Sequence, residues 1–442
     1  MQSYLCINEA QRKEMLASTG LTDEKELFSS IPENLRIPAL PELPGPMSEL
    51  EAKRAFAGMG EMNKRVLTCF LGAGAYNHYI PSVVDHLANR SEFYTAYTPY
   101  QPEMSQGMLQ AIFEYQTLVC RLTGMDAANA SHYDGAAACA EAMLMSRGIT
   151  RRNEVVVSSA LHPHYIETIK TYATAAGVTL KLIPLKDGTT DIEALKTLCT
   201  EAAAGVILAQ PNFYGCIEDV MTASEITHTA GAIFTACALP SALPVLAAPG
   251  DYADIAAGEG QSWGIPVSFG GPYLGYMAVK EKYIRSLPGR IVGQTVDHDG
   301  RKGYVLTLQA REQHIRRDKA ASNICSNQAY CALRAAIHIS AMGQEGLTAV
   351  ARQSYDNAHY LLERLTRVKG FEPAFKAPFF NEFTVKHTGD ITALNERLLS
   401  RGILGGLDLA KYGMPGHSLW CATELNTRDE IDHLAGILEA GA

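Results

Sequence analysis

The strongest constraint on the fold is an alternation of helical and strand patterns between residues 106 and 280. Helical patterns cover residues 107–124, 164–177 and 192–204, and apolar strand patterns cover residues 153–160, 178–185 and 205–210. The strands are rich in valine, isoleucine and leucine, which is typical of parallel strands that helices cover on both faces. The alternation therefore predicts βαβ units around a mainly parallel sheet, with any ligand at the carboxyl ends of the strands.

The segments on either side of this region divide the chain into three predicted parts. Residues 1–48 are a helical extension, in which Thr22 is the expected cap of a second helix, followed by a connector with five prolines between residues 32 and 46. Residues 49–343 form the large domain. Helix and strand patterns start again after residue 344 and predict a small C-terminal α/β domain, residues 344–442.

Composition excludes several classes of partner. The 442 residues include 47 acidic and 38 basic side chains, a formal charge of −9, which disfavours nucleic acid and anionic membranes as partners. No run approaches the roughly 18 apolar residues of a spanning helix, and the N-terminus is too polar for a signal peptide. The ten cysteines include no C-x-x-C pair. We therefore expect a cytoplasmic protein with reduced thiols.

No lysine or arginine occurs between Lys196 and Lys280, although this stretch contains several predicted strands and the loops that follow them. One interpretation is a buried part of the domain that binds no cofactor. Its last portion, GEGQSWGIPVSFGGPYLG at residues 258–275, is a glycine-rich turn that follows a short apolar strand. In enzymes that bind pyridoxal phosphate, such a turn follows the lysine that anchors the cofactor, so the missing lysine needs an explanation.

The order of three segments resembles fold-type I pyridoxal-phosphate enzymes, and more closely the glycine decarboxylase (P-protein) family. The segments are QPNFYG, GAIFTACAL and GEGQSWGIPVSFGGPYLG. Matched on the Ile-Pro and glycine positions, the lysine of that family's catalytic halves falls on Gln261. The aspartate that pairs with the pyridine nitrogen falls on Ala236. An amide cannot form the Schiff base, so the resemblance implies a cofactor site that has lost two key groups.

Longer stretches resemble the alpha chain, or N-terminal subunit 1, of two-subunit bacterial glycine decarboxylases. They are FLGAGAYNHYIPSVV, TPYQPEMSQG, LPGRIVGQTVDHDGRKGYVLTLQAREQHIRRDKA and SNICSNQA. The resemblance implies an α/β fold of the pyridoxal-phosphate transferase kind. It also implies that a partner beta subunit holds the pyridoxal phosphate, that none is covalently bound to this chain, and that the active site forms where the two subunits meet.

Five tyrosines between residues 76 and 100 are candidates for the wall that this chain would add to such a site. Prolines interrupt these segments, and rigid loops present aromatic side chains with little entropy left to lose. A water-poor pocket with a few phenolic donors suits a glycine carboxylate that leaves as carbon dioxide. The predicted wall consists of Asn77, His78, Tyr94, Tyr97, Thr98 and Pro99. For Tyr76, Tyr79 and Tyr100, packing in the domain core is at least as good an interpretation.

Two further motifs are better explained without a ligand. SHYDGAAACAEA, residues 131–142, has the shape of a phosphate loop at the start of a helix, but Asp134 would repel a phosphate and suits an N-cap. His162 and His164 are two residues apart and on a strand would share a face. No further ligand at a useful spacing accompanies them, so we predict no metal site.

The strongest local positive charge lies at Arg311, His314, Arg316, Arg317 and Lys319. A solvated helix face is one interpretation. The other is that His314 and Arg316 contact the partner subunit or the acidic surface of the carrier that delivers the lipoyl group, because arginine makes directed contacts with carboxylates.

Together with the resemblance, these observations predict the alpha subunit of glycine decarboxylase. With a pyridoxal-phosphate-bearing beta subunit it would decarboxylate glycine and transfer the aminomethyl group to the lipoyl group of the H-protein. A non-catalytic scaffold or regulatory subunit is the first alternative. A self-sufficient pyridoxal-phosphate enzyme that uses another lysine, such as Lys280, is the second.

Overall fold

The computed structural model describes residues 6–37, 45–63, 66, 68–94, 98–320, 322–324 and 327–440. It separates into two units, Met1–Lys64 and Arg65–Ala442. The predicted three-part division at residues 48 and 343 stays a prediction.

The first two helices of the chain belong to the first unit, and helices and strands alternate through most of the second unit. The helices are α1 Glu9–Ser18, α2 Glu49–Glu61, α3 Ser82–Ala88, α4 Ser91–Tyr94, α5 Gln106–Thr123, α6 Gly135–Thr150, α7 Pro163–Ala176, α8 Ile192–Leu198, α9 Val220–Thr229, α10 Gln313–Arg316, α11 Ala329–Thr366, α12 Ile391–Ser400 and α13 Arg428–Glu439. The strands are β1 Thr68–Cys69, β2 Ala127–Ala128, β3 Glu154–Ser158, β4 Thr179–Ile183, β5 Leu185–Lys186, β6 Thr189–Thr190, β7 Ala203–Gln210, β8 Ile233–Ala238, β9 Ile255–Glu259, β10 Gly275–Val279, β11 Ile291–Val296, β12 Lys302–Thr307, β13 Phe371–Pro373, β14 Glu382–His387, β15 Ile403–Leu404, β16 Leu407–Asp408 and β17 His417–Cys421.

The central sheet has seven strands in the order β2-β10-β9-β8-β7-β3-β4. Strands β4, β3, β7, β8 and β9 pair in parallel, and β10 pairs antiparallel with β9 and β2. This confirms the predicted mainly parallel α/β sheet. One boundary was wrong: the helix predicted over 192–204 ends at Leu198, and β7 begins at Ala203. Ala203 and Ala204 favour helices in isolation, but here they belong to a strand whose residues are all buried.

The two faces of the sheet carry two separate hydrophobic cores. Val156, Val206 and Phe234 belong to one core, whereas Val155 and Ile207 belong to the other. Neighbouring residues along a strand point to opposite faces, so a strand buried on both faces must be apolar throughout. This explains the nearly continuous apolar strands of the sequence.

A four-stranded antiparallel sheet, in the order β13-β14-β17-β16, occupies the C-terminal region. It packs with α13 and with the second half of α11 around a core that includes Phe383 and Trp420. Helix α11 is interrupted at Gly343, which has a φ of 60°. This break divides α11 into two helical segments within one element.

The first unit has well-capped helices but no core of its own. Asn8 and Ser48 cap α1 and α2 with complete capping boxes. The prediction of Thr22 as a cap was wrong by one residue: Asp23 caps the 3₁₀ helix Glu24–Phe28, and Thr22 instead donates to Glu26. None of the described residues of this unit is buried.

Within the described part of the chain, no helix combines the length and the apolar content needed to cross a bilayer. The described cysteines are free thiols, and six of them are buried. The cytoplasmic location stays a prediction.

Candidate functional site

The side chain of Gln261 is buried just beyond the end of strand β9, with 2% of its surface exposed. Its Oε1 accepts a hydrogen bond from the Tyr76 backbone N–H (2.9 Å). Its Nε2 donates to the backbone carbonyls of Tyr76 (3.0 Å) and Ile265 (2.7 Å). Gln261, to which the resemblance assigns the position of the lysine, therefore ties two loops together and offers no amine.

Ala236 lies in the middle of β8 and is buried. It stands in register between Leu208 of β7 and Ala256 of β9, and its methyl group cannot pair with a pyridine nitrogen. The carboxylate that bonds to this strand, that of Asp254, accepts from the Phe234 N–H (3.0 Å). Asp254 precedes β9, whereas Gln261 follows it, so this carboxylate lies at the opposite edge of the sheet.

Glu259, the last residue of β9, places its carboxylate at the N-terminus of helix α6. Oε2 accepts from the Gly135 N–H (3.0 Å), and Oε1 accepts from the N–H groups of Gln261 (3.0 Å) and Leu274 (2.9 Å). Burial raises the pKa of Glu259 to about 7, although the amide donors oppose this effect. Asp134 caps the same helix, as predicted. The positive end of α6, which could otherwise bind a phosphate, is occupied by two carboxyl groups.

The loop that contains Ala73 and Tyr76 is also held from its other side. Glu382 Oε1 accepts from the Ala73 N–H (2.5 Å), and Oε2 accepts from the Tyr76 hydroxyl (2.8 Å). His162 Nε2 lies 2.9 Å from the Ala73 carbonyl. Burial raises the pKa of Glu382 to about 7 and lowers that of His162 to about 4. At neutral pH His162 is therefore uncharged and donates its Nε2 proton to this carbonyl.

A small cleft of about 70 Å³ lies beside these groups, at the carboxyl ends of β7, β8 and β9. Tyr76, His162, Phe213, Glu259 and Glu382 contribute to its lining, and the described residues around it include no lysine or arginine. Its position agrees with the prediction that any ligand site lies at this edge of the sheet. Its lining supplies acids and aromatic rings instead of cations.

Lys280, the alternative anchor for pyridoxal phosphate, is not one of the cleft residues. It follows β10, which runs antiparallel to β9, and so it lies at the amino ends of the parallel strands. Its ammonium donates to the Gly250 carbonyl. Lys280 and the cleft therefore lie at opposite ends of the strands of the central sheet.

His162 and His164 do not share a strand, contrary to the geometry on which the metal alternative depended. His162 is the N-cap of helix α7, where its Nδ1 accepts from the His164 N–H (3.1 Å) and Pro163 is the first helical residue. Among the residues that the structure describes, no group of three histidine, cysteine, aspartate or glutamate side chains could hold a metal ion.

Asn77 and His78 have different surroundings. Asn77 is exposed. His78 is buried, and its Nδ1 lies 2.7 Å from Glu424 Oε2, while Glu424 Oε1 accepts from the Tyr79 N–H (2.6 Å). Burial acts to raise the pKa of Glu424, but the bonds from His78 and Tyr79 together lower it. His78 therefore holds its own segment in place, and Asn77 is the member of the pair at the surface.

Tyr94, at the end of α4, is 69% exposed, and its ring meets the edge of Tyr330 at a centroid distance of 6.4 Å. The Tyr330 hydroxyl donates to Asn89 Oδ1 (2.9 Å). One turn further along α11, Arg334 Nε donates to the Gly264 carbonyl (3.2 Å). Residues four apart on a helix share a face, so this face of α11 connects the Tyr94 region with the Gln261 turn.

Two further members of the predicted wall, Thr98 and Pro99, are less accessible than Tyr94. Thr98 is half-buried, and Pro99 is buried. Tyr97 lies outside the described residues.

The three tyrosines for which core packing was proposed differ. Tyr76 is 6% exposed, which confirms core packing, whereas Tyr79 and Tyr100 are 54% and 48% exposed, so that interpretation was wrong for both. Arg290 Nη2 donates to the Tyr100 hydroxyl (2.5 Å), and the guanidinium carbon lies 4.8 Å from the ring centroid. The His314 ring also meets the Tyr100 ring, at 6.4 Å. A ring that stacks against a cation needs no apolar core around it.

The basic cluster is not one uniform surface. Arg311 is largely buried and donates to the Gly289 carbonyl (2.6 Å). His314 and Arg316 are exposed on α10, where Arg316 Nε donates to the Ala310 carbonyl (3.1 Å). Only the exposed members are available for contacts with another protein.

Sequence reasoning missed Arg290, Tyr330 and Arg334. Each is distant along the chain from the residues that it contacts. The sequence signal was limited to a tyrosine and an arginine four residues apart in a predicted helix, a spacing that is common in surface helices.

Comparisons with known proteins agree on one family. The sequence model of the family described as "Glycine cleavage system P-protein" matches residues 2–438. A relative from Moorella thermoacetica named "Probable glycine dehydrogenase (decarboxylating) subunit 1" is 51% identical over 439 residues, which is 99% of each chain. A relative of the same name from Desulforamulus reducens is 50% identical over 98% of each chain.

Solved structures show the same likeness. A structure described as glycine decarboxylase (P-protein) of the glycine cleavage system, in inhibitor-bound form, superposes with a TM-score of 0.92 at 41% identity and covers 100% of both chains. A sphingosine-1-phosphate lyase from Burkholderia pseudomallei reaches a TM-score of 0.67 at 14% identity, over 91% of this chain and 92% of its own. This second likeness concerns the fold alone.

Proposed function

This chain belongs to the glycine cleavage system P-protein family, and from this premise we propose that it is subunit 1 of a two-subunit glycine dehydrogenase (decarboxylating). With its second subunit it decarboxylates glycine and transfers the aminomethyl group to the lipoyl group of the H-protein. The observation that carries the proposal is the buried, fully bonded amide of Gln261 at the position of the anchoring lysine.

The described residues around the cleft do not fit pyridoxal phosphate. The cofactor needs an amine for its aldehyde, an acid for its ring nitrogen and a free helix N-terminus for its phosphate. The cleft lining includes no lysine, strand β8 contributes only Cys237 and Ala238 to it, and Glu259 already occupies the N-terminus of α6. The amide of Gln261 and the methyl group of Ala236, at the positions that the resemblance gives to the lysine and the aspartate, lie behind this lining. We therefore assign pyridoxal phosphate to the second subunit, where the cofactor supplies the electron sink for decarboxylation.

This chain's own contribution is a wall of the site. Asn77 and Tyr94 are exposed and can donate hydrogen bonds to a glycine carboxylate, while the Tyr94 ring helps to exclude water. Tyr97, Thr98 and Pro99 belong to the same proposed wall on the basis of the sequence. His78 acts as a positioning residue, because its bond to Glu424 fixes the segment that carries Asn77.

The exposed His314 and Arg316 are the proposed contacts with a partner. Their exposure on α10 and the positive charge of Arg316 suit an acidic carrier such as a lipoylated H-protein, which must bind and leave in every turnover. A charged, exposed contact favours rapid association without a permanent complex.

Reconstitution tests the proposal. This chain and the second subunit are purified separately, and exchange of carbon dioxide with the glycine carboxyl group is measured with lipoylated H-protein and pyridoxal phosphate. We expect exchange only when both subunits are present. Borohydride reduction should attach the cofactor to the second subunit and leave this chain unlabelled. Label on a lysine of this chain would overturn the proposal, and full activity of the second subunit alone would favour the scaffold alternative.

A further inference from the structure

Phe269 is exposed over its entire surface, at 103% of the reference value, more than any other large apolar residue that the structure describes. It lies in residues 266–273, which we call the Phe269 loop and which follow the buried Gln261 turn. Pro266, Ser268, Gly270 and Pro272 are exposed as well. A large aromatic ring in water is unfavourable, so a ring presented in this way indicates contact with another molecule.

The backbone of this loop is strained at its tip. Four consecutive residues have positive φ: Ser268 at 44°, Phe269 at 54°, Gly270 at 106° and Gly271 at 143°. Glycine adopts these values without a penalty, but serine and phenylalanine do not. Strained residues persist where their surroundings hold them in place. Here the backbone is held by hydrogen bonds of the turn itself, from the Gly270 N–H to the Val267 carbonyl (3.1 Å) and from the Gly271 N–H to the Ser268 carbonyl (3.2 Å), while the Phe269 ring stays in solvent.

The base of the loop is rigid. Gln261 Nε2 donates to the Ile265 carbonyl, and Arg334 Nε donates to the Gly264 carbonyl. On the far side of the tip, the Tyr273 hydroxyl donates to the Val267 carbonyl (2.8 Å). The exposed ring therefore stands on a fixed base, and a partner that binds it loses little additional conformational entropy.

Hydrogen bonds and one ring contact connect the base of the loop to other exposed aromatic side chains. Gln261 connects it to the segment after Tyr76, where Tyr79 is 54% exposed. The face of α11 that carries Arg334 also carries Tyr330, which contacts Tyr94. Exposed aromatic residues around a rigid anchor are characteristic of the centre of a stable protein interface.

We propose that the Phe269 loop is a docking element that inserts the Phe269 ring into an apolar pocket of the second subunit. The inference rests on the proposed function. Two observations favour this occupant over the carrier protein. The loop is bonded through Gln261 to the segment of the proposed active-site wall, so the two surfaces are continuous. Residues 266–273 also carry no charge, whereas a transient carrier is steered by charge.

Binding of the intact chain to purified second subunit tests the proposal, and Phe269→Ala is the variant. We expect the dissociation constant to rise about tenfold or more, because aromatic anchors dominate the binding energy of interfaces. Met221→Ala removes an apolar side chain that is 46% exposed on helix α9 and should leave the constant unchanged. Ser268→Gly keeps the ring and relieves a positive φ, so it should keep the affinity and raise the melting temperature of the isolated chain.

The possible results separate this inference from the proposed function. Wild-type affinity for Phe269→Ala would overturn the docking role and leave the proposed function standing. A wild-type chain that fails to bind the second subunit would overturn both. If the variant instead loses self-association while it still binds the second subunit, the ring belongs to a contact between copies and the proposal is wrong. An unchanged melting temperature of Phe269→Ala confirms that the variant is folded.

Discussion

Gln261 and the Tyr76 backbone exchange two hydrogen bonds: the amide accepts from the Tyr76 N–H at 2.9 Å and donates to its carbonyl at 3.0 Å. This is the pairing that a neighbouring β-strand would make, supplied here by a side chain. It satisfies both backbone groups of a buried residue that could otherwise be left without partners. Gln261, at the position that the resemblance gives to the anchoring lysine, is a structural link between two loops.

Replacement of Gln261 by lysine should therefore destabilise the chain without restoring cofactor binding. An ammonium cannot accept from the Tyr76 N–H, and Ala236 and Glu259 remain as they are. We expect a loss of about 1–3 kcal/mol, typical for a buried polar group left without its partner. Chemical denaturation measures the loss, and absorbance with added pyridoxal phosphate checks for binding. Gln261→Met, of similar size but without hydrogen bonds, is the matched control and should lose a comparable amount. A stable lysine variant with a borohydride-reducible cofactor band would contradict the prediction.

Glu382 should make the stability of the chain depend on pH. Burial raises its pKa from 4.5 to about 7 in the folded state. The folded chain therefore binds this proton more tightly than the unfolded chain, and stability falls as the pH rises from about 4.5 to 7. Glu382→Gln cannot ionise, so relative to the wild type it should gain stability between pH 5 and pH 8, on the order of 3 kcal/mol.

Melting temperatures across this pH range measure the effect of Glu382→Gln. Glu103→Gln, at an exposed glutamate, serves as the control and should follow the wild-type curve. Parallel curves for wild type and Glu382→Gln would show that Glu382 does not titrate in this window.

The Glu259 carboxylate accepts hydrogen bonds that a bound anion could otherwise accept. Glu259→Ala releases the N–H groups of Gly135, the first residue of α6, and of Gln261 and Leu274, which point to the same place. Converging amides beside a helix N-terminus bind phosphate readily, but the Asp134 carboxylate would repel it, so Asp134→Asn serves as the common background. In that background we expect inorganic phosphate to raise the melting temperature of Glu259→Ala and to leave that of Asp134→Asn alone unchanged. Glu259→Gln keeps an oxygen at this place and should respond less. Equal responses of all three proteins would refute this role.

Replacement of Tyr94 distinguishes a chain that lines the active site from a chain that is only a scaffold. In the reconstituted complex, Tyr94→Ala should lower the rate of carbon dioxide exchange by about tenfold or more, as expected when a donor near the reacting carboxylate is lost. Subunit association should persist, because the Phe269 loop is intact. Tyr355→Ala removes a tyrosine that is 42% exposed elsewhere on α11 and serves as the control. An unchanged exchange rate for Tyr94→Ala in an intact complex would support the scaffold alternative.

Arg316 should affect the encounter with the carrier more than the chemistry. Arg316→Ala should raise the KM for lipoylated H-protein several-fold at low salt, with kcat unchanged, because an exposed charge mainly sets the association rate. The difference should shrink as ionic strength rises. Lys196→Ala removes the same charge from helix α8 and is the control. A fall in kcat without any change in KM would argue against a docking role.

Most of the fold could be predicted because short segments of the sequence carry the patterns of its helices, strands and turns. The strand Ile233–Ala238 is buried at every residue and Glu154–Ser158 at every residue after the first, and the turn around residues 297–301 joins β11 and β12 in a hairpin. The errors occurred where local signals compete. Helix α8 ends earlier than predicted because Ala203 and Ala204 pair in β7. Asp23 rather than Thr22 is the N-cap, because Asp23 forms a capping box with Glu26.

The candidate site was harder to predict because its contacts join distant residues. The pairing of His78 with Glu424 spans 346 positions, and that of Tyr76 with Glu382 spans 306. No periodicity connects such positions. Burial also changes the chemistry of a residue without changing its identity: the sequence shows Glu259 and Glu382 only as glutamates, yet burial raises the pKa of each to about 7.

By itself the sequence determined that this chain has a parallel α/β sheet and no lysine between residues 196 and 280, since strand burial and residue identity are properties of short segments. Only the tertiary structure decided the surroundings of the residues in this region. Gln261 became a link to Tyr76, Glu259 filled the end of a helix, and Phe269 was left in solvent on a rigid loop. Each of these outcomes depends on which distant groups meet and how much water they exclude, and both are settled when the chain packs.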